Sequence, residues 1–388
     1  MIQGSYRFIQ QEQVIWGRPA ADAIAEVADG LGARRLFLVT SGTLNRRTDA
    51  IAAIRRRLGE RVVGLFDECE AHSPQGSVLR TAGEIERAGP DLIVTIGGGS
   101  PIDTVKVAQI VLAEGLRSGE ELVRFRVTTN PDGSWNVPPS KPSPVRQIVL
   151  PTTLSAAEFS NIGGCTDRAR QVKDLYVAKY SCAQAVILDP AITVHTPEWL
   201  WLSTGIRAVD HAVESICSRA PNPYVDANSA DGLRMLSASL RANKARPGDL
   251  DMRLQSQLGV WLASVGIGRV PWGASHGIGH QLGGVAGVPH GHTSCVMLPS
   301  VMRWNRAHVE APLARIAQAF GEPGADAADL VQRLIAELGM PTRLADVKVG
   351  PEHYDRIAEA SMQSPMVKAN PRPITEPGQV KEILAMAQ

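Results

Sequence analysis

The first half of the chain alternates short apolar runs with longer stretches of helical periodicity. Each apolar run has the length and the composition of a buried strand. Such strands are predicted at residues 34–40, 61–68 and 91–100, in the segment RQIVLPTT and at residues 184–190. The stretches between them, such as residues 77–89, place apolar side chains three or four positions apart, as amphipathic helices do. This alternation predicts a parallel sheet covered by helices.

The pattern changes after Pro190, where helical periodicity continues and strand-like runs nearly disappear. We therefore predict two domains, an α/β dinucleotide-binding domain of residues 1–190 and an all-helical catalytic or substrate domain of residues 191–388. Residues 114–147 interrupt the first domain. This segment is rich in Pro, Gly, Asn and Ser, which predicts a surface excursion or a hairpin.

Charge and cysteine content narrow the functional classes. The chain has 388 residues, with 40 basic and 39 acidic side chains, so it has no basic surplus for nucleic acid or an anionic membrane. No apolar run reaches the roughly 18 residues that a membrane span needs, and the N-terminus lacks the apolar core of a signal peptide. Five widely spaced cysteines without a CxxC pair are typical of reduced thiols. We expect a cytoplasmic protein without nucleic-acid or membrane partners.

A glycine turn follows the predicted strand at residues 91–100. The segment TIGGGSPIDTVK places Gly97, Gly98 and Gly99 between a strand and a helix, where backbone N–H groups and the helix N-terminus can hold a pyrophosphate. The glycines alone are equally compatible with a tight turn that binds nothing, and they do not form the GxGxxG pattern of an ordinary Rossmann domain. Small hydroxyl side chains that could line a cofactor follow another strand, at Thr152, Thr153 and Ser155.

Histidines concentrate in one stretch, HGIGHQLGGVAGVPHGH, which holds four of the nine in the chain. Residues four apart share a helix face, so His276 and His280 point the same way, and His290 can fold back after the intervening break. Another predicted helix carries Arg207 and His211, also four apart. Imidazoles from two elements can hold a divalent metal. The alternative is a set of surface or hydrogen-bonded core histidines.

Six motifs in one order resemble those of the iron-containing alcohol dehydrogenase superfamily, whose fold is that of dehydroquinate synthase-like proteins. They are GGGSPIDTVK, PTT followed by a Glu, GIRAVDHAVES, HGIGHQLGG with PHG, LPSVMRWN and NPRPIT. Within the superfamily, FDECEAHSP, PTTLSAAEFS and LDPAIT most resemble the maleylacetate reductases. The resemblance implies an NAD(P)-dependent oxidoreductase that commonly forms a homodimer and acts on a small molecule.

The resemblance also implies a cofactor cleft between the domains. In that cleft the pyrophosphate and its surroundings would be held by Gly97, Gly98, Ser100 and Asp103, and the remainder lined by Thr152, Thr153 and Lys173. Relatives often carry an Asp after the first strand that holds the adenosine ribose, and the matching position here is Ser41. Without that carboxylate, NADPH should be accepted as well as NADH.

One departure from the family pattern concerns the metal. The three histidine ligands of metal-dependent members fall on His211, His276 and His290, but the Asp ligand falls on Arg207. A guanidinium cannot ligate a cation. Asp210 lies about 100° away around the helix from His211, so we expect it to be no substitute for the missing ligand. The maleylacetate reductases also lack the acidic ligand and work without a metal, so we predict no catalytic metal here.

The predicted reaction is reduction of the carbonyl of an oxo acid by NADH or NADPH. Arg207 would stabilise the charge that develops on the carbonyl oxygen or bind a substrate carboxylate. We expect His276 and His280 to supply the proton, because imidazole titrates near neutral pH, and His211 and His290 to shape the pocket. His72 is a weaker candidate for a place near the nicotinamide or the substrate.

Three alternatives remain open at this stage. One is a metal-dependent alcohol dehydrogenase that binds iron or zinc through His211, His276 and His290. Another is a lyase or cyclase of the dehydroquinate synthase type, which would need a complete metal site and several basic residues for a phosphate-bearing substrate, a set that the sequence does not show. The last is a non-catalytic protein that keeps the cofactor cleft.

Overall fold

The computed structural model describes residues 3–130, 134–170 and 172–388. Its strands are β1 (Gln13–Trp16), β2 (Leu36–Thr40), β3 (Val62–Phe66), β4 (Leu92–Gly97), β5 (Thr128–Thr129), β6 (Trp135–Asn136), β7 (Arg146–Pro151), β8 (Ile162–Asp167), β9 (Val172–Val177) and β10 (Ala185–Leu188). The helices up to residue 193 are α1 (Ala20–Gly30), α2 (Gly42–Arg47), α3 (Ala50–Leu58), α4 (Gln75–Ala88), α5 (Gly99–Glu114), α6 (Gly119–Val123) and α7 (Pro190–Thr193).

The remainder of the chain is helical. Its helices are α8 (Glu198–Ile216), α9 (Pro223–Ala245), α10 (Leu250–Ala263), α11 (Ala274–Ala286), α12 (His290–Asn305), α13 (Glu310–Ala319), α14 (Ala327–Glu337), α15 (Tyr354–Ser361), α16 (Pro365–Lys368) and α17 (Pro377–Met386). Among the described residues, no helix has both the length and the apolar character needed to cross a membrane.

Six strands form a parallel sheet in the order β1-β10-β7-β4-β2-β3. Every residue of β2 and β4 is buried, as expected of central strands covered on both faces by helices. The predicted fold class, a parallel α/β domain followed by an all-α domain, is confirmed. Because all carboxyl ends lie at one edge, the segments after β4, β2 and β7 leave the sheet side by side.

The chain divides into two compact units. One comprises Phe8–Asn130 and Trp135–Thr196 and contains the parallel sheet, and the other consists chiefly of Pro197–Gln388. Each unit has its own apolar core. In the sheet unit, side chains of α1 and α3 pack on β2, β4 and β10. In the helical unit, α11 and α12 pack against α15 and α17.

Some elements of the sheet unit were not expected from the pattern. Strand β1 pairs with β10 at the sheet edge, and β8 and β9 form a separate antiparallel hairpin. Gly163 and Gly164 in β8 give that strand little apolar signal, yet they allow it to lie close to α5. The predicted excursion at residues 114–147 contains α6 and the short pair β5–β6, and residues 131–133 of that prediction lie outside the described residues.

Candidate active site

The glycine turn joins the end of β4 to the start of α5. Gly98 is the N-cap residue of this 16-residue helix and has no side chain to bond to the first-turn N–H groups. Those donors therefore remain available to an anion, and the helix dipole favours negative charge at the same place.

Threonine and serine from the segment after β7 lie against the glycines. A Cβ on Gly98 would be 2.8 Å from Cγ2 of Thr153, and one on Gly99 would be 3.3 Å from Oγ of Ser155. The hydroxyl oxygens of Thr153 and Ser155 are both buried and have no hydrogen-bond partner. Unpartnered hydroxyl donors beside exposed backbone N–H groups fit the pyrophosphate of a dinucleotide, which supplies acceptor oxygens.

Other residues predicted to bind the cofactor make local contacts in the same unit. The Ser100 hydroxyl accepts a hydrogen bond from the His72 N–H at 3.1 Å, and Asp103 Oδ2 accepts one from the Gly164 N–H at 3.2 Å. The Lys173 side chain lies over Gly164, where a Cβ would be 2.3 Å from Lys173 Cε.

The neighbouring strands complete this part of the site. The Thr152 N–H donates to the carbonyl of Gly97 at 2.9 Å, which ties the end of β7 to the end of β4. Ser41 follows β2, the strand next to β4, and its hydroxyl caps α2 by accepting from the Leu44 N–H at 3.3 Å. His72 also belongs to this region, and burial together with the charge of Lys173 lowers its pKa.

A buried lysine behind the glycine turn was not anticipated. The Lys106 ammonium on α5 donates to the carbonyl of Ala157 at 2.5 Å and to that of Ile162 at 2.8 Å. It thereby fixes the segment that carries Ser155 against the helix that begins at the glycines. Glu158 is buried nearby, and burial, opposed in part by Lys106, raises its pKa to about 7.

Four histidine rings of the helical unit lie in a row. The ring centroids of His211 and His276 are 5.1 Å apart, those of His276 and His280 are 6.4 Å apart, and those of His280 and His290 are 6.1 Å apart. The structure therefore brings together the histidines from α8, α11 and α12 that the sequence singled out. His292 lies outside the row and contacts Trp199, with the ring centroids 6.0 Å apart.

Arg207 lies beside this row and at the end of a hydrogen-bonded chain. Its Nη1 donates to Oγ of Ser294 at 3.3 Å, and the Ser294 hydroxyl donates to Oδ2 of Asp210 at 2.7 Å. Burial lowers the pKa of Arg207, while Asp210 and Glu214 counteract that effect. The Arg207 charge in turn lowers the pKa of both His211 and His276.

Glu214 caps the helix that carries two of the histidines. Helix α11 starts after Gly273, which offers no capping side chain. The Glu214 carboxylate instead accepts hydrogen bonds from the N–H groups of Ser275 at 2.9 Å and His276 at 3.3 Å. It also lies 2.7 Å from Nδ1 of His276. Burial, opposed by these backbone bonds, raises the pKa of Glu214 to about 7.

Two residues of this cluster differ from what their sequence positions suggest. Asp210 reaches the cluster in spite of its position around the helix, with its Oδ2 3.5 Å from Nδ1 of His276. Helix α8 is enclosed on nearly all sides, so a residue 100° from His211 still meets another part of the cluster. Burial, opposed by Asp210 and reinforced by Arg207, lowers the pKa of His276 to about 3, which makes this ring a weaker candidate for the proton donor than His280.

The cluster also has metal-binding geometry in its carboxylates. One donor atom each from Asp210, Glu214 and His276 lie within 4.8 Å of one another. Hydrogen bonds already occupy several of these possible metal-ligand atoms. Oδ2 of Asp210 accepts from the hydroxyls of Ser275 and Ser294, and Glu214 accepts from the start of α11. Buried atoms without a hydrogen-bond partner remain on Asp210, at Oδ1, on His211, at Nδ1, and on His276, at Nε2.

Sequence reasoning missed Trp272 and Glu214. The Trp272 ring stacks on His211 with centroids 4.8 Å apart and contacts His276 with centroids 4.2 Å apart. Trp272 precedes the histidine stretch by four residues, and Glu214 follows His211 by three, so both were close to recognised motifs. Helical spacing alone could have placed Glu214 on the face of His211.

Two family models and several known proteins match this chain over most of its length. Residues 11–190 match the model for iron-containing alcohol dehydrogenases, and residues 201–388 match the model for the C-terminal part of the Fe-containing alcohol dehydrogenase family. A dehydrogenase of Alternaria alternata, Dehydrogenase ALT3, is 32% identical, with 92% of this chain and all of that protein covered. A maleylacetate reductase of Burkholderia cepacia is 29% identical, with 93% and 92% covered.

Solved structures give the same result. The crystal structure of maleylacetate reductase from Agrobacterium tumefaciens superposes with a TM-score of 0.83 at 27% identity, covering all of this chain and 98% of that one. The predicted family resemblance is confirmed. The chain belongs to the iron-containing alcohol dehydrogenase family and is an NAD(P)-dependent oxidoreductase.

Proposed function

We propose that this oxidoreductase reduces the carbonyl of a small oxo acid with NADH or NADPH and without a catalytic metal. The observation that carries the proposal is the position of Arg207. It lies on α8 one turn before His211, where metal-dependent relatives would place an acidic ligand, and burial together with its charge lowers the pKa of both His211 and His276. A fixed cation disfavours a divalent ion at that place, and both oxygens of Glu214 and Oδ2 of Asp210 are engaged in hydrogen bonds.

Arg207 performs the electrostatic work in this proposal. Reduction of a carbonyl builds negative charge on its oxygen, and a partly buried guanidinium stabilises that charge in a low-dielectric site. The Ser294 hydroxyl, which links Arg207 to Asp210, holds the guanidinium in place. A guanidinium also binds carboxylates in a bidentate manner, which favours a substrate that carries an acid group next to or near its carbonyl.

His280 is assigned the proton transfer. It is partly buried and lies between His276 and His290 in the row of rings. His276 is a poorer proton donor, because burial lowers its pKa to about 3, which leaves the ring neutral near pH 7, and its Nδ1 is engaged with Glu214. His211, His276 and His290 then form the wall of the substrate pocket. The helical unit thus supplies the chemistry, and the sheet unit binds the dinucleotide.

The bound dinucleotide supplies the hydride. The first-turn N–H groups of α5 and the hydroxyls of Thr153 and Ser155 hold its pyrophosphate, while Lys106 keeps the Ser155 segment in place. Ser41, Ser100, Asp103 and Lys173 are assigned to its ribose and phosphate surroundings. The substrate class is supported by relatives named maleylacetate reductase and by the carboxylate affinity that Arg207 provides.

The direct test measures oxidation of NADH and NADPH by a panel of 2-oxo acids, 4-oxo acids including maleylacetate, and simple aldehydes. Each reaction is run with and without a chelator, and the metal content of the protein is determined in parallel. We expect turnover of an oxo acid that the chelator leaves unchanged, and well under one equivalent of iron or zinc. One equivalent of tightly bound metal, with activity abolished by chelator and restored by iron or zinc, would contradict the metal-free proposal.

A metal-dependent alcohol dehydrogenase is the second candidate. The unpartnered buried nitrogens of His211 and His276 favour it, because buried ring nitrogens without a hydrogen-bond partner are typical of metal ligands. The substrate panel separates the candidates, since a metal-dependent alcohol dehydrogenase would prefer aldehydes or alcohols and would lose activity in chelator.

We also propose that the protein is a cytoplasmic homodimer. Sedimentation analysis tests the dimer.

A further inference from the structure

An arginine at the carboxyl edge of the sheet has no role in the account above. Arg46 belongs to α2, the helix that follows Ser41 and β2. Its Nη1 donates to Oδ2 of Asp67 at 2.8 Å, and Asp67 directly follows β3, the next strand of the sheet. Asn45 donates to the same Asp67 oxygen at 2.9 Å. The guanidinium is therefore anchored on one side by the end of β3.

The other side of the Arg46 guanidinium lies over Gly42. A Cβ on Gly42 would be 1.8 Å from Nη2 and 2.5 Å from Cζ of Arg46, so only glycine leaves room for this position. Gly42 adjoins Ser41, so Nη2 is held close to the Ser41 position. The Arg46 side chain remains 63% exposed, and of its five N–H donors only one is engaged by Asp67. Arg46 is therefore a cation held in position, and its other N–H donors remain available to a ligand.

The sheet register puts this cation beside the pyrophosphate site. Thr40 of β2 is paired with Ile96 of β4, so Ser41 and Gly97 leave the sheet side by side, about 5 Å apart. On the β7 side, the glycines are closed off by the side chains of Thr153 and Ser155. The β2 side is where Ser41 and Arg46 lie. If the adenosine half of a dinucleotide with its pyrophosphate at Gly98 lies on this side, its ribose comes next to Ser41 and Arg46.

We infer that Arg46 binds the 2′-phosphate of NADPH and thereby lets this site accept NADPH besides NADH. The inference rests on the proposed function, because it assumes dinucleotide binding at the glycines. A guanidinium forms charge-assisted, bidentate hydrogen bonds with phosphate, and NADH carries only a hydroxyl at the corresponding atom. Asp67 holds Arg46 in place, so the arginine is the residue that discriminates the two cofactors.

The test is calorimetric titration of the full-length protein with NADPH and with NADH. Arg46→Ala should weaken NADPH at least tenfold and change NADH by less than about twofold. Arg46→Lys should recover part of the NADPH affinity, because it restores the charge without the bidentate geometry. The matched control is Arg47→Ala, which removes the adjacent exposed arginine and should change neither affinity.

Gly42→Ala provides an independent test that leaves Arg46 intact. The added methyl group must displace the guanidinium from its place over residue 42, so NADPH should weaken selectively here as well. In wild-type protein, higher ionic strength should weaken NADPH more than NADH, and this difference should vanish in Arg46→Ala.

Several results would overturn the inference. Equal weakening of both dinucleotides by Arg46→Ala would mean that Arg46 only supports the fold of the turn. Unchanged NADPH affinity, or a wild-type protein that binds NADH but not NADPH, would remove the phosphate contact altogether. If the wild type binds neither dinucleotide, the proposed function fails as well, and that outcome is distinct from the others.

Discussion

Arg207 is the single residue on which the proposed mechanism depends most. If its charge stabilises the developing oxyanion, Arg207→Ala should lower kcat/KM by about 10²–10³, or roughly 3–4 kcal/mol. Arg207→Lys should recover part of that loss, since it keeps the charge but not the planar donor set. Steady-state kinetics with the best oxo acid from the substrate panel measures both, and Arg234→Ala, an exposed arginine of α9, is the control.

Arg207→Asp makes a more specific prediction at the same position. It completes a set of one carboxylate and three histidines, so the variant should gain affinity for a divalent ion. Titration with zinc should show a new tight site that the wild type lacks. Equal zinc affinity in both proteins, together with unchanged kinetics in Arg207→Ala, would mean that Arg207 plays no part in the chemistry.

Glu158 should contribute to the way in which the stability of the protein depends on pH. Burial raises its pKa to about 7, whereas the ordinary value is 4.5. A raised pKa means that the native state binds the proton more tightly, so this contribution to stability is complete below pH 4.5 and is lost as the pH rises through 7. The loss is at most roughly 3 kcal/mol. Glu158→Gln removes this titration.

Thermal unfolding at several pH values measures the effect. Relative to wild type, Glu158→Gln should gain stability between pH 5 and pH 8.5. Glu60→Gln, in the turn after α3, is the control, because no such burial affects it. A constant difference in melting temperature between Glu158→Gln and wild type across this range would show that Glu158 stays ionised, paired with Lys106.

Single residues differed in how far the sequence could place them. The grouping of the histidines could be predicted, because helical spacing puts His276 and His280 on one face and the family motifs bring in His211 and His290. The carboxylates were not, because their roles depend on which helix packs against which. Asp210 contacts the cluster because α11 and α12 both pack against α8, so that Ser275 and Ser294 donate to the same Asp210 oxygen.

At the scale of elements, the strands that could be predicted well are those with a continuous run of apolar residues. The central strands β2 and β4 are continuous apolar runs, and both were predicted close to their observed bounds. Strand β1 has only four residues at a sheet edge, and β8 contains two adjacent glycines. Their structure is determined by partners distant in sequence, namely β10 and α5, which no local pattern encodes.

The junction of β4, α5 and β7 gives a prediction at this scale. Gly98→Ala should weaken dinucleotide binding at least tenfold, because its Cβ would approach Thr153 Cγ2 to 2.8 Å and push apart the two sides of the anion site. Adding Thr153→Ser removes that methyl group and should restore part of the affinity. Gly83→Ala, in α4 where a Cβ meets nothing, is the control.

Calorimetric titration with NADH compares these variants. Rescue by the second substitution distinguishes a local steric effect from general damage to the fold, which Thr153→Ser could not repair. If Gly98→Ala binds NADH as tightly as wild type, the glycine turn is only a turn, and the pyrophosphate must bind elsewhere.

For the whole molecule, the two units have separate apolar cores, so a ligand held by one of them should stabilise that unit first. At a concentration 100 times its Kd, a dinucleotide adds about 2.7 kcal/mol to the state that binds it. Hydrogen exchange should then slow in β4, α5 and β7, where the free energy of opening should rise by up to that amount. The helix pair α9–α10 of the other unit should change much less. Gly98→Ala, at the same dinucleotide concentration, should show little slowing in either unit. Equal slowing throughout the chain would instead mean that the molecule opens as one cooperative body, and the division of labour between the units would then have no counterpart in their stability.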